Sequence, residues 1–221
     1  RSDADFQGFY AASGLKLAKH TLVNFIAEKI PDCVYLSGIE GTGKSHLLQA
    51  VCNAADEAGL LAIYLPLSQL VHFEPQSVLE SVANADVLAL DDIDSVKGNI
   101  AWQEALFHLY NQRLAQEKPL YFAAKLPARL LELELADLQS RLTACLAFQL
   151  PALVDNEKIA MLQVLGANRG IGINEASATF IVQRSGRKMA DLIDVLEKLD
   201  QASLVAKRKV TVPFIKQLLN W

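Results

Sequence analysis

The chain has 221 residues, 52% of them hydrophobic and 21% charged, with a net charge of −4 and a pI of about 5.6. This is a globular composition with room for one good core and a small second domain, and it excludes intrinsic disorder. No apolar run reaches the ~18 residues that span a membrane, no signal peptide is evident, and the acidic balance gives no support for strong direct DNA binding, which calls for a basic face.

The first segment, "ASGLKLAKHTLVNFIAEKIPD", repeats apolar residues at helical spacing and stops at Pro31. "CVYLSG" follows as a buried strand, then a glycine-rich loop, then a helix from Lys44 to Ala58 closed by Gly59. "LLAIYLP" reads as a second strand, "PQSVLESVAN" as a short helix, and "DVLALDD" as a third, apolar strand. "AWQEALFHLYNQRLAQEK" is an amphipathic helix that places Trp102, Leu106 and Leu109 on one core-facing stripe. "PLYFAAK" and "LAFQLP" complete five strands. Strands alternating with helices predict an α/β fold with a parallel sheet covered on both faces.

The pattern changes after Pro151. "DNEKIAMLQVLGANRG", "NEASATFIVQRSG", "KMADLIDVLEKLDQASLVAKRK" and "VPFIKQLLNW" all read as helix, with Asn174 as a cap, Gly186 as a stop and Pro213 at a helix start. We therefore expect an α/β domain over 1–151 and a helical domain over 152–221. Cys33, Cys52 and Cys145 are odd in number, far apart and without CxxC spacing. They are expected as small buried thiols in a reducing cytosol, not as a disulfide framework or zinc site. His20, His72 and His108 have no partner at ligand spacing, and the basic run Lys207–Lys209 suits a helix C-terminus.

Gly38-x-x-x-x-Gly43-Lys44-Ser45 fits the Walker A pattern in the context it requires, after a strand and before a helix. Glycines let backbone N–H groups turn inward around phosphates, and the helix start adds positive potential. Gly38, Gly41, Thr42, Gly43, Lys44, Ser45 and His46 are the expected nucleotide-binding residues, with Lys44 on the phosphates and Ser45 as a magnesium ligand. Asp91 and Asp92 follow "VLAL", a Walker B pattern in which a buried strand delivers a carboxylate to the metal. Asp91 is the expected second magnesium ligand and Asp92 the candidate base that polarises the attacking water. Asp94 is expected as a helix cap.

At "GIEGTGKSHLLQA" and "LALDDID" the chain resembles the DnaA branch of the AAA+ ATPases, with His46-Leu47 sharpening the match. "FQGFYAASGLKLA" resembles the branch's N-terminal segment near the adenine, "ADLQSRLTACLAFQL" the segment with the arginine finger, and "LEKLDQASLVAKRKVTVPFIKQLL" the end of its helical lid. The resemblance implies an AAA+ P-loop fold with a five-stranded parallel sheet and an all-helical lid, ADP or ATP with Mg²⁺ as cofactors, and Arg141 as the finger. DnaA itself continues into a helix-turn-helix domain, whereas this sequence ends at Trp221, straight after the lid. That is similar to the Hda-type regulators of replication initiation. The implied role is to promote ATP hydrolysis by DnaA in concert with the DNA polymerase III sliding clamp, in the cytoplasm at the replisome. Nothing in "RSDADFQG" matches the clamp-binding peptide of such proteins; the sequence starts at Arg1 without a Met, so residues before it are expected. Self-association into a homodimer is left open.

Two positions depart from the branch. Where AAA+ enzymes carry a polar sensor 1 residue at the end of the fourth strand, this chain has Ala123 and Ala124, followed by Lys125, a flexible ammonium poorly suited to orient water. Where the lid carries the sensor 2 arginine there is Ala190, with Arg187 three residues earlier as a substitute contact to the nucleotide. Binding parts without sensors imply good nucleotide binding and poor hydrolysis alone. A helicase-loader-type ATPase, a small P-loop kinase and a nucleotide-gated interaction module remain as alternatives.

Overall fold

The structure, a computed structural model, describes residues 16–28, 32–186, 189–206 and 210–221. It divides into two compact units, Arg1–Pro151 and Ala152–Trp221.

The first unit is built on five parallel strands in the order β2-β3-β4-β1-β5. β1 (Cys33–Ser37), β3 (Val87–Asp91) and β4 (Leu120–Ala124) are buried along their whole length, as their unbroken apolar runs require of inner strands. β2 (Ala62–Pro66) is half-buried at one edge and β5 (Leu146–Gln149) is largely exposed at the other. Parallel neighbours need crossovers. These are α2 (Lys44–Glu57), α3 (Leu67–Leu70) with α4 (Pro75–Val82), α5 (Ile100–Ala115) and α6 (Ala136–Ala144), preceded by α1 (Lys16–Ala27). The short α3 was not foreseen; it starts directly after Pro66, the last residue of β2.

Trp102, Leu106 and Leu109 of α5 pack in the core with Tyr35, Leu88, Leu90 and Phe122. The buried indole N–H of Trp102 is satisfied by the carbonyls of Val71 and Phe73. Arg113 lies one further turn along and is fully buried. Its guanidinium donates to the carbonyls of Ala85, Asp86 and Pro119 at 2.8, 3.0 and 2.7 Å, and burial holds it down at about 10. A buried cation tied to three carbonyls staples the end of α5 to the entries of β3 and β4.

The cysteine expectation is corrected. Cys33 and Cys145 are disulfide-bonded with Cα atoms 4.8 Å apart, and only Cys52 is a free buried thiol. Spacing rules test local pairs, whereas here the parallel pairing of β5 with β1, Val34 opposite Leu146, brings together residues 112 apart.

The second unit is helical: α7 (Asp155–Asn168), α8 (Glu175–Arg184), α9 (Met189–Ala206) and α10 (Val212–Leu219). Leu162, Ile181, Val182, Leu192, Leu196, Leu199 and Ile215 form its buried interior. The Asn174 side chain accepts the Ser177 N–H at 2.8 Å, as an N-cap does. Pro213 stands in the first turn of α10. α8 ends at Arg184 with Ser185 already extended, just ahead of Gly186. Lys207–Lys209 lie outside the described residues. No described helix is long and apolar enough to cross a membrane.

Candidate nucleotide-binding site

The loop leaves the end of β1, which lies between β4 and β5. Both neighbours hold it. The Gly38 N–H donates to the Ala124 carbonyl at 3.3 Å, and Leu150 N–H donates to Ser37 O at 2.7 Å. A Cβ at Gly38 would stand 2.7 Å from both the Leu150 carbonyl oxygen and Thr42 Oγ1, so only glycine fits. Gly41 and Gly43 have φ of 82° and 91°, the left-handed region that turns successive N–H groups to one side. Gly43 is also the cap residue from which α2 starts.

Lys44 is buried, and its ammonium donates to the carbonyls of Gly38 and Ile39 at 2.7 and 3.0 Å. Burial pushes it below the usual lysine range, against the opposing pull of Asp91, Asp92 and Asp94. The Thr42 hydroxyl donates to Ile39 O at 2.9 Å. Ser45 is exposed and His46 half-buried in the first turn of α2.

Asp91 ends β3 and is 1% exposed. Its Oδ1 accepts the Asp92 N–H at 2.8 Å and its Oδ2 accepts the Tyr64 hydroxyl at 2.7 Å. The Tyr64 phenol is also hydrogen-bonded to the Ser45 side chain, and burial and Asp91 together raise it well above the ordinary tyrosine value, so it stays a donor. Asp92 has φ of 54° and its Oδ2 accepts the Ser68 hydroxyl at 2.6 Å. Asp94 is not a helix cap. Asp92 occupies the cap position of the 3-10 turn Ile93–Val96. The Asp94 carboxylate instead accepts the Lys125 N–H at 3.0 Å and stands 3.8 Å from its ammonium.

The structure thus brings Gly38 to Ser45, Asp91 and Asp92 together at the strand ends. Ala123 and Ala124, at the end of β4, are fully buried, and the contribution of this strand end to the loop is the Ala124 carbonyl. Lys125 is 60% exposed and paired with Asp94. Arg187 lies outside the described residues, as do residues 6–15 of the N-terminal segment; Ala190 is in the first turn of α9.

Arg141 does not join the loop. It is exposed on α6, with its guanidinium 5.8 Å from the Tyr110 ring centroid. It precedes by one helical turn Cys145, which is bonded to Cys33 at the start of β1. Among the described residues no carboxylate lies within the 4.0 Å of an ion pair to it.

Magnesium, which the motif implies, takes oxygen ligands. The donor set fits: an exposed hydroxyl on Ser45 and a buried carboxylate on Asp91, linked through one phenol. Among the described residues no group of three or more His, Cys, Asp or Glu could hold a metal, so a metal here would complete its shell with nucleotide oxygens and water. Sequence reading missed Tyr64 and Ser68. Tyr64 pairs with Ala89, two residues before Asp91 on the same face, so its place becomes visible only once the β2–β3 register is known.

A family model described as the bacterial DnaA ATPase domain matches residues 2–149, and one described as the Hda lid domain matches residues 155–219. An uncharacterized protein of Haemophilus influenzae is 39% identical over 220 residues, covering 99% of this chain and 94% of that protein. Domain III of the Thermotoga maritima replication initiation protein DnaA superposes with a TM-score of 0.83 at 20% identity, over 100% of this chain and 97% of the other. AMPPCP-bound DnaA from Aquifex aeolicus gives 0.75 at 19% identity, over 90% of this chain and 65% of the other.

Proposed function

The chain belongs to the bacterial DnaA ATPase-domain family and carries an Hda lid domain, and from that premise we propose that it regulates replication initiation by promoting ATP hydrolysis on DnaA. In this reading Gly38, Gly41, Thr42, Gly43, Lys44, Ser45 and His46 hold ADP or ATP, with Ser45 and Asp91 as the Mg²⁺ ligands. A bound Mg²⁺ supplies charge neutralisation at the phosphates. The residues around the loop bind and orient; they are poorly equipped to activate water. Ala123 and Ala124 have no side-chain polar group, and Asp92, the candidate base, is engaged by Ser68.

The observation that carries the proposal is Arg141: exposed, free of a carboxylate among the described residues, and placed with the strand beginnings instead of the loop. Such a cation is available to a second chain. Offered to the ATP of DnaA, with the sliding clamp as the second partner, it stabilises transition-state charge, an effect worth ~10³–10⁵ in rate for arginine fingers.

The test is DnaA–ATP hydrolysis measured with this chain, the clamp and DNA. Arg141→Ala should abolish the stimulation while ADP affinity stays within about threefold, under 1 kcal/mol. Undiminished stimulation by the variant would sink the proposal. Brisk ATP turnover by the isolated chain would favour an autonomous ATPase instead.

A further inference from the structure

The second strand sends a side chain to the metal side of the loop that none of the nucleotide-binding motifs demands. Tyr64 is half-buried on β2, and its hydroxyl reaches both residues of the metal-ligand pair. It donates to Asp91 Oδ2 at 2.7 Å and is hydrogen-bonded to the Ser45 side chain. The other carboxylate oxygen, Asp91 Oδ1, accepts the Asp92 N–H at 2.8 Å. Each oxygen of a nearly inaccessible carboxylate therefore already receives a donor from the chain itself. A buried carboxylate without donors has to recruit a cation or lose its charge. Asp91 is under no such demand.

We propose that Tyr64 stands in for the metal as the partner of Asp91 and Ser45, so that this chain grips its nucleotide with little dependence on Mg²⁺. The inference rests on the reading that the loop holds an adenine nucleotide. A cation arriving at the site must compete with a preformed phenol pair for the two side chains that would bind it, so its arrival adds little. Removing the phenol oxygen alone leaves the ring in place and deprives Asp91 of one of its two donors. The buried charge is then under-satisfied, and a divalent cation becomes its best available partner. The phosphate charge in the metal-free complex falls to Lys44, whose ammonium lies within the loop, and to the loop N–H groups.

The full chain is titrated with a fluorescent ADP derivative in excess Mg²⁺ and again in EDTA, as wild type and as Tyr64→Phe. The wild-type dissociation constants in the two conditions should differ by less than about fivefold. In Tyr64→Phe the ratio should widen by about tenfold, the scale of a lost hydrogen bond to a charged group. A wild-type ratio of fivefold or more overturns the inference, and so does an unchanged ratio in Tyr64→Phe. The wild-type ratio alone decides should the variant fail to fold. Absence of ADP binding by wild type in both conditions overturns the nucleotide-holding reading itself, which separates that failure from the failure of the Tyr64 assignment.

Discussion

A single methyl group added at Gly38 should weaken nucleotide binding far more than it weakens the fold. The new Cβ would lie 2.7 Å from the Leu150 carbonyl oxygen, 2.7 Å from Thr42 Oγ1 and 3.3 Å from Leu150 Cβ. Ordinary contact begins near 3.4 Å, so something must open by about 0.7 Å, the difference of 3.4 and 2.7 Å. Neither wall is free to retreat. Leu150 is held to Ser37 by a 2.7 Å hydrogen bond at the end of the β1–β5 ladder, and the Thr42 hydroxyl is held to Ile39 at 2.9 Å. Overpacking of this kind costs ~1–3 kcal/mol. The loop is the softer side, because β5 is fixed to β1 along four residue pairs. The cost therefore falls on loop geometry, and ADP affinity should drop by about 5- to 150-fold. Gly59→Ala is the control. Its φ is 77° but an added Cβ would meet nothing within 4 Å, so it carries only backbone strain of ~1–2 kcal/mol, visible in melting and not in ADP binding. The assays are a fluorescent-ADP titration and a thermal melt of each variant. Wild-type ADP affinity in Gly38→Ala, or an equal loss in Gly59→Ala, would refute the reasoning.

Two further outcomes follow from local contacts. Asn174→Ala removes the acceptor of the Ser177 N–H and should cost the helical unit ~1 kcal/mol in chemical denaturation; an unchanged midpoint would show the cap to be idle. Reduction of Cys33–Cys145 frees a loop of 112 residues, for which chain entropy allows up to about 5 kcal/mol. The oxidised chain should therefore melt above the reduced one, and Cys145→Ser should melt like the reduced chain with or without reductant.

What could be read from the sequence followed how local each signal is. The five strands and the helix after the loop rest on periodicity and on the Gly, Asn and Pro signals of single segments, such as Asn174 and Pro213, and these stand in the structure. The glycine-rich loop between β1 and α2 was legible because its pattern is packed into eight consecutive residues. Features that depend on which strands become neighbours were not. Cys33 meets Cys145 only because β5 lies beside β1. Tyr64 meets Asp91 only because β2 pairs with β3 in one particular register. Three carbonyls converge on Arg113 only where two strands begin side by side. Asp94 failed as a cap for the same reason: its partner, Lys125, comes from the end of another strand.

The same topology bears on how a catalytic division of labour could arise. A base must aim a lone pair at water, but Asp92 is fixed by a left-handed backbone and accepts Ser68 at 2.6 Å. A buried metal-binding carboxylate gains by meeting a cation, but Asp91 is already satisfied by Tyr64 and Asp92. Both carboxylates thus accept hydrogen bonds from groups of their own chain. α6 presents Arg141 beside Tyr110, one helical turn before the Cys145 that is bonded to Cys33 at the start of β1. If both the loop and Arg141 act on nucleotide, they act on two different molecules, one held by this chain and one held by its partner.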